Sequence, residues 1–313
     1  MFRTRLISGI LLVIIAVVTI LAGSGVLAVT LGLISLIAYG ELAKACKVHT
    51  GEQKCSAAEA GPDGQKSAFF VVSGKSNALV SAGRVLTVLY YVMLFVTVYG
   101  GKESGDGLAL VYPALVSFVA VSLIVFLFIY VFAFPRYKAD QVMAAMFSWL
   151  YAPVMLSFIY LIREGFEYGS YLVWLVFLCS WGSDTCAYAV GVLIGKHKMT
   201  PKLSPKKSVE GAVGGVLGAA LLFVLYAHFA VNMYTGTEIS LPLAAVLGAV
   251  GALVSMVGDL AASAIKRDHE IKDYGKLIPG HGGIMDRFDS VIIAAPLIFI
   301  GLTAIVSITG AML

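Results

Sequence analysis

Long apolar stretches, separated by short polar segments, run through the whole chain. Each stretch is continuous rather than alternating and is close to the roughly 20 residues that a helix needs to cross about 30 Å of hydrocarbon. Continuous runs favour membrane-spanning helices over a barrel, whose strands alternate apolar and polar residues. The predicted spans, nine in number, cover residues 5–22, 25–46, 79–99, 108–134, 141–162, 170–194, 210–230, 240–264 and 289–310.

Composition supports this interpretation. The 313 residues are 59% hydrophobic and only 13% charged, and a soluble domain with this balance would expose apolar surface everywhere. The predicted fold class is therefore an all-α, polytopic integral membrane protein of about nine transmembrane helices. We divide the chain into N-terminal membrane helices, residues 1–140, with a loop at 49–77, and C-terminal catalytic membrane helices, residues 141–313.

The basic residues predict an orientation. If the N-terminus is cytoplasmic and the spans alternate, only Lys102 and Arg163 of the 22 lysines and arginines fall on the opposite side. This is a strong positive-inside bias, and it places loop 49–77 and every basic loop in the cytoplasm. The net charge of +4 reflects that asymmetry, and we predict no nucleic-acid partner. The compact loops favour a multi-pass protein of the cell inner (plasma) membrane; a eukaryotic organelle stays open.

Polar residues stand out in three places that this topology brings to one side. The first is Ser183-Asp184-Thr185, inside the sixth span. Asp184 either pairs with a polar residue to pack helices or lines a wet active-site cavity. The second is the lysine-rich segment 195–211, which either only sets topology or binds phosphate. Ser208 can cap the seventh helix, and a helix N-terminus beside Lys206 and Lys207 attracts phosphate.

The third place is the charged run from Ser263 to Asp289, with Asp259 just upstream. Asp259 and Lys266 fall on one face at the end of the eighth helix, and Asp286 and Asp289 share a face at the start of the ninth. Three carboxylates could thus face one another at the membrane surface. Oxygen ligands of this kind suit Mg²⁺, which also takes substrate phosphate oxygens. The alternative is an ion-paired loop that only seals the inner face.

Further residues of this run fit a phosphate-handling site. Lys266, Arg267, Lys272 and Arg287 can neutralise phosphate charge, while His281-Gly282-Gly283 predicts a sharp turn where the backbone approaches a ligand closely. His281 either contacts phosphate or only shapes the turn.

The run from Ser263 to Asp289 resembles the signature of the phosphatidate cytidylyltransferase (CDP-diacylglycerol synthase) family. The segment 204–211 is similar to that family's Ser-Pro-Lys-Lys-Thr/Ser element, although Val209 replaces a bulkier residue. The signature positions are Ser263, Lys266-Arg267, Lys272-Asp273, Gly275, Ile278-Pro279, His281-Gly282-Gly283 and Asp286-Arg287-Phe288-Asp289.

The resemblance implies a Mg²⁺-dependent nucleotidyltransferase that condenses CTP with phosphatidic acid, in the bilayer, to CDP-diacylglycerol and pyrophosphate. A second cation and a homodimer stay open. In line with the family, the expected metal ligands are Asp259, Asp286 and Asp289, which with Lys266 and Arg267 form the catalytic set. The expected substrate-binding residues are Lys206, Lys207, Ser208, Lys272, His281, Arg287 and Asp184.

The sequence leaves three alternative functions open. A CTP-dependent polyprenol or dolichol kinase would transfer the γ-phosphoryl group and release CDP. A transporter would place its polar residues near the bilayer midplane, in repeats with broken helices, whereas these crowd the helix ends. A structural scaffold would leave the carboxylate spacing unexplained.

Overall fold

The computed structural model describes residues 2–48, 77–104, 107–237, 239–278 and 282–309, with side chains from Ser8 onward. His281 and nearly all of loop 49–77 lie outside these residues. The long helices are α1 Phe2–Ala22, α2 Ser24–Ala45, α3 Ala78–Ser104, α4 Val111–Phe132, α5 Ala139–Gly165, α6 Gly169–Ile194, α7 Val209–Thr235, α8 Leu241–Asp268 and α9 Met285–Thr309.

The helical prediction is confirmed. Within the described residues, eight helices, α2 to α9, are long and apolar enough to cross a membrane, and the apolar part of α1 is shorter, Ser8–Ala22. Large apolar side chains such as Val29, Val116 and Leu217 are exposed on their outer faces, as expected where lipid rather than water is the surrounding solvent. The chain is a multi-pass membrane protein; the number of nine spans and the division at residue 140 stay predictions.

Three of the long helices contain a π-helical turn. These turns cover Leu150–Val154 in α5, Leu178–Gly182 in α6 and Ala227–Asn232 in α7. A π turn adds a residue to the helical repeat and rotates the side chains that follow it. In α6 the turn directly precedes Asp184, and its Ser180 hydroxyl lies 2.6 Å from the Ser290 hydroxyl of α9. The turn thus helps to set the face on which Asp184 lies.

The segment between α6 and α7 is more regular than the sequence suggested. Strands β1 Lys198–Thr200 and β2 Ser204–Ser208 pair antiparallel, with Lys198 opposite Ser208. The predicted helix cap is confirmed, because the Ser208 Oγ accepts a hydrogen bond from the Gly211 amide at 3.2 Å. The hairpin therefore ends directly at the N-terminus of α7.

The two ends of the helix bundle have different chemistry. At one end, the far end, the buried Glu164 pairs with Lys102 and accepts a hydrogen bond from the Ser24 amide at 2.6 Å, and Arg163 donates to the Ile20 carbonyl at 2.9 Å. Lys102 and Arg163 thus lie on one side, as the alternation of spans predicts. The hairpin and the described residues between α8 and α9, 269–278 and 282–284, lie at the opposite end, which we call the basic end. Which end faces the cytoplasm stays a prediction.

Candidate active site

Asp286, in the first turn of α9, organises the segment that precedes this helix. Its Oδ1 accepts a hydrogen bond from the Lys266 Nζ at 2.9 Å. Its Oδ2 accepts from the amides of Tyr274 and Gly283 at 2.8 and 3.0 Å. Gly282 has φ +90°, a conformation that favours glycine, and a Cβ there would lie 2.9 Å from the same Oδ2. A buried carboxylate thus joins the end of α8, the loop and the start of α9.

Tyr274 anchors the same segment from its other side. Its hydroxyl donates to the Ala262 carbonyl at 2.8 Å, and the Lys266 Nζ lies 5.3 Å from the centre of its ring. Burial raises the pKa of the Tyr274 hydroxyl, so the hydroxyl stays protonated and remains a donor at physiological pH. Lys266 is therefore held by both a carboxylate and an aromatic face.

A second cluster of charges joins α6, α8, α9 and the hairpin. The Lys207 Nζ forms an ion pair with Asp259 Oδ2 and interacts electrostatically with Asp184. Asp259 in turn repels the buried Asp289. Asp289 Oδ1 accepts from the Ser290 amide at 2.9 Å, while no described residue donates to its Oδ2. Residues widely separated in sequence thus converge, as the topology predicted.

A large cavity connects these charges with the first two helices. We call it the apolar cavity; its volume is about 620 Å³. One end is lined by the carboxylates of α6, α8 and α9, by Lys207 and by Arg287, and the remainder is lined mostly by apolar residues of α1 and α2. Val13 and Leu33 line it and are 48% and 57% exposed, so the cavity reaches the outer apolar surface. The charged wall comprises Asp184, Lys207, Asp259, Asp286, Arg287 and Asp289.

A smaller cavity of about 370 Å³ lies on the other side of Asp184 and Lys207, which line both. We call it the basic cavity. Lys198 and Lys206 of the hairpin, the Ser208 cap and Gly211 of α7 also line it. It therefore combines lysines with the N-terminus of a long helix, a combination that attracts phosphate groups.

The carboxylates at the charged end of the apolar cavity fit a divalent cation. Asp259 and Asp289 are close enough to repel each other, and a cation between them would offset that repulsion. Among the described residues, however, no three His, Cys, Asp or Glu side chains form a ready metal site. Mg²⁺ commonly takes one or two carboxylates and completes its shell with water and substrate phosphates, which agrees with this pair.

The predicted site residues differ in where they lie relative to the two cavities. Asp184, Lys207, Asp259, Asp286, Arg287 and Asp289 share one cavity, and Lys206 and Ser208 line the other. Lys266 reaches the site through Asp286. Arg267 and Lys272 are exposed and line neither cavity, and His281 lies outside the described residues. The individual roles assigned to these residues, including the metal ligands, stay predictions.

Glu41 of α2 is a site residue that sequence reasoning missed. Its Oε2 accepts a hydrogen bond from the Met285 amide at 2.9 Å. The only signal in the sequence is a carboxylate within an apolar span, which is costly in lipid and therefore needs a partner.

The fold and site define a membrane-spanning helical bundle with neighbouring carboxylates and a lysine-flanked helix N-terminus at one end. The model of the cytidylyltransferase family matches residues 3–305. The chain belongs to this family.

Curated relatives are similar over about half of the chain. The phosphatidate cytidylyltransferase of Haemophilus influenzae is 40% identical over 129 residues, which are 41% of this chain and 44% of that protein. The phosphatidate cytidylyltransferase of Mycobacterium bovis is 38% identical over 169 residues, 54% and 53% of the two chains. That of Synechocystis sp. is 41% identical over 136 residues, 44% of each. The chain thus spans about half the length of the curated relatives it matches.

Proposed function

We propose that this protein is a phosphatidate cytidylyltransferase, which joins CTP and phosphatidic acid to give CDP-diacylglycerol and pyrophosphate. The observation that carries the proposal is the pair of cavities that share a wall of Asp184 and Lys207. One cavity is apolar with a charged end and reaches the outer surface, as a two-chain lipid with a phosphate head group requires. The other is basic and suits a triphosphate. Membership of the family and its curated relatives support the same activity.

The reaction needs positioning more than acid–base chemistry. An oxygen of the phosphatidate head group attacks the α-phosphorus of CTP, a new P–O bond forms, and pyrophosphate leaves. The attacking oxygen is already anionic at pH 7, so no strong general base is required. The main barrier is the repulsion between two polyanions that must be brought together. Cationic groups lower this barrier by positioning the phosphates and neutralising their charge.

Different residues bind the triphosphate, bind the cation and hold the segment before α9. Lys206, Lys207 and the N-terminus of α7 hold the triphosphate and then the leaving pyrophosphate. Asp259 and Asp289 would hold the divalent cation, and Lys266 keeps Asp286 and the segment before α9 in place. When bound, Mg²⁺ would neutralise phosphate charge on the substrates.

The membrane setting follows from the substrates. The acyl chains of phosphatidate stay between α1, α2 and the bilayer while the head group enters the charged end of the cavity. CTP reaches the basic end from the cytoplasm, which agrees with the positive-inside orientation and with the inner (plasma) membrane of a bacterium. Pairing of the chain with a second copy stays a prediction.

A labelled-nucleotide assay tests the proposal. Purified protein is incubated with α-labelled CTP and phosphatidate, with and without Mg²⁺. We expect Mg²⁺-dependent transfer of the label into lipid. Label that leaves as CDP would instead support a lipid kinase, and no consumption of CTP would contradict both activities.

A further inference from the structure

Glu41 lies far from the signature segment in sequence but is enclosed by it in the structure. Its partner Met285 is 244 residues away, and the carboxylate also interacts with the Ile284 amide. A Cβ built at Gly275 or at Gly283 would overlap the Glu41 carboxylate oxygens. The two glycines therefore leave just the space that the carboxylate occupies, so the segment before α9 is folded around a side chain of α2.

This contact provides a hydrogen-bond acceptor for a free backbone amide at the start of α9. The backbone carbonyl of Ile284 accepts the first helical hydrogen bonds, from Arg287 and Phe288 at 2.9 and 3.2 Å, so Ile284 occupies the N-cap position. An isoleucine has no side-chain acceptor, and the free amides that follow it need one. Glu41 provides that acceptor from another helix, with a negative charge that favours the positive end of the helix dipole.

The same contact links the two halves of the proposed site. Helix α2 contributes much of the apolar cavity wall, including Leu31 and Ile34, whereas α9 contributes Asp286 and Asp289 at its charged end. Gly283, which packs on Glu41, also donates to Asp286. A shift of this contact would displace Asp286 and Asp289 relative to the apolar cavity.

We propose that Glu41 is a positioning residue: it caps α9 from α2 and so fixes Asp286 and Asp289 against the apolar cavity. The expected effect on kcat rests on the proposed cytidylyltransferase activity, whereas the expected loss of the hydrogen bond to the Met285 amide does not.

The test compares Glu41→Gln and Glu41→Ala with the wild-type protein. Gln retains an oxygen that can accept the Met285 hydrogen bond, whereas Ala removes it. We expect kcat to fall about 100-fold in Glu41→Ala, since misplacement of catalytic groups by about 1 Å costs that much. In Glu41→Gln the fall in kcat should be smaller. The KM for CTP should stay within about twofold of wild type, because the basic cavity does not include Glu41.

Glu164→Gln is the matched control. Glu164 is also a buried carboxylate that binds a backbone amide between helices, but it lies at the far end. We expect this variant to lose thermal stability without the loss of kcat. If Glu41→Gln and Glu41→Ala keep wild-type kcat, or lose no more kcat than Glu164→Gln, the positioning role is wrong.

Hydrogen exchange separates this inference from the proposed function. In Glu41→Ala the Met285 amide should exchange at least about tenfold faster than in wild type, and in Glu41→Gln the increase should be smaller; neither change requires catalysis. If the wild-type protein makes no CDP-diacylglycerol, the proposed function fails while this readout still tests the cap. Unchanged exchange at Met285 in Glu41→Gln and Glu41→Ala would overturn the inference.

Discussion

Asp286 and Asp289 lie one helical turn apart, yet their surroundings differ. Asp286 is fully engaged by Lys266 and by two backbone amides. Asp289 has one oxygen without a donor among the described residues and lies near another carboxylate, Asp259. We therefore expect the first to maintain the fold of the site and the second to act mainly in its chemistry.

Asp289→Asn should reduce CDP-diacylglycerol formation by about 10²- to 10³-fold, the usual loss when one stabilising electrostatic group is removed. Thermal stability in detergent should be unchanged or higher, because the substitution relieves repulsion with Asp259. Asp140→Asn, in the first turn of α5 and exposed, is the control and should keep full activity. Normal turnover in Asp289→Asn would contradict the role of Asp289 as a cation ligand.

Asp286→Asn should abolish turnover and lower stability by about 3 kcal/mol, because it leaves Lys266, whose side chain is only 13% exposed, without its ion pair. Thermal unfolding of the purified variant measures this. An unchanged melting temperature would mean that Asp286 contributes little to the fold of residues 269–278 and 282–284.

At the scale of elements, α6 and α7 pack closely because small residues face one another across their interface. A Cβ at Gly211 would lie 2.7 Å from the Ala187 carbonyl oxygen and 3.2 Å from Gly191 Cα. Small residues of this kind let membrane helices approach without side chains between them. The basic cavity lies at this contact, since Ala187, Gly191 and Gly211 all line it.

Gly211→Ala should therefore destabilise the protein by about 1–3 kcal/mol, as overpacking does, and raise the KM for CTP. Gly100→Ala in α3 is the matched control, because a Cβ there meets no atom within 4 Å; it should be neutral or stabilising by up to about 1 kcal/mol. Thermal unfolding and CTP kinetics of the two variants provide the comparison. Equal stability of both would show that the α6–α7 contact tolerates separation.

At the scale of the whole molecule, the predictions from sequence agree with the structure where a local sequence pattern alone determines the feature. Hydropathy predicted the long helices within a few residues, and the Ser208 cap followed from its position before α7. The hairpin was missed because Pro205 and the lysines of β2 have weak strand propensity. The position of Asp184 beside Lys207 and the cap by Glu41 depend on contacts between distant helices, which no local pattern encodes.

Across the whole molecule, the apolar cavity and the basic cavity lie on either side of Asp184 and Lys207, and the proposed function requires one substrate in each. Ile34→Trp narrows the apolar cavity from α2, and Lys206→Ala removes a cation from the basic cavity. Their controls are Val26→Trp, on the exposed face of α2, and Lys202→Ala, an exposed hairpin lysine that lines neither cavity.

The most direct test is the KM of each variant for phosphatidate and for CTP, measured separately. We predict that Ile34→Trp raises the KM for phosphatidate about tenfold and leaves that for CTP unchanged. Lys206→Ala should do the reverse, by about tenfold, since a charged hydrogen bond is worth about 1.5–3 kcal/mol. If both substitutions change the same KM, or each changes the opposite one, the assignment of lipid and nucleotide to separate cavities is wrong.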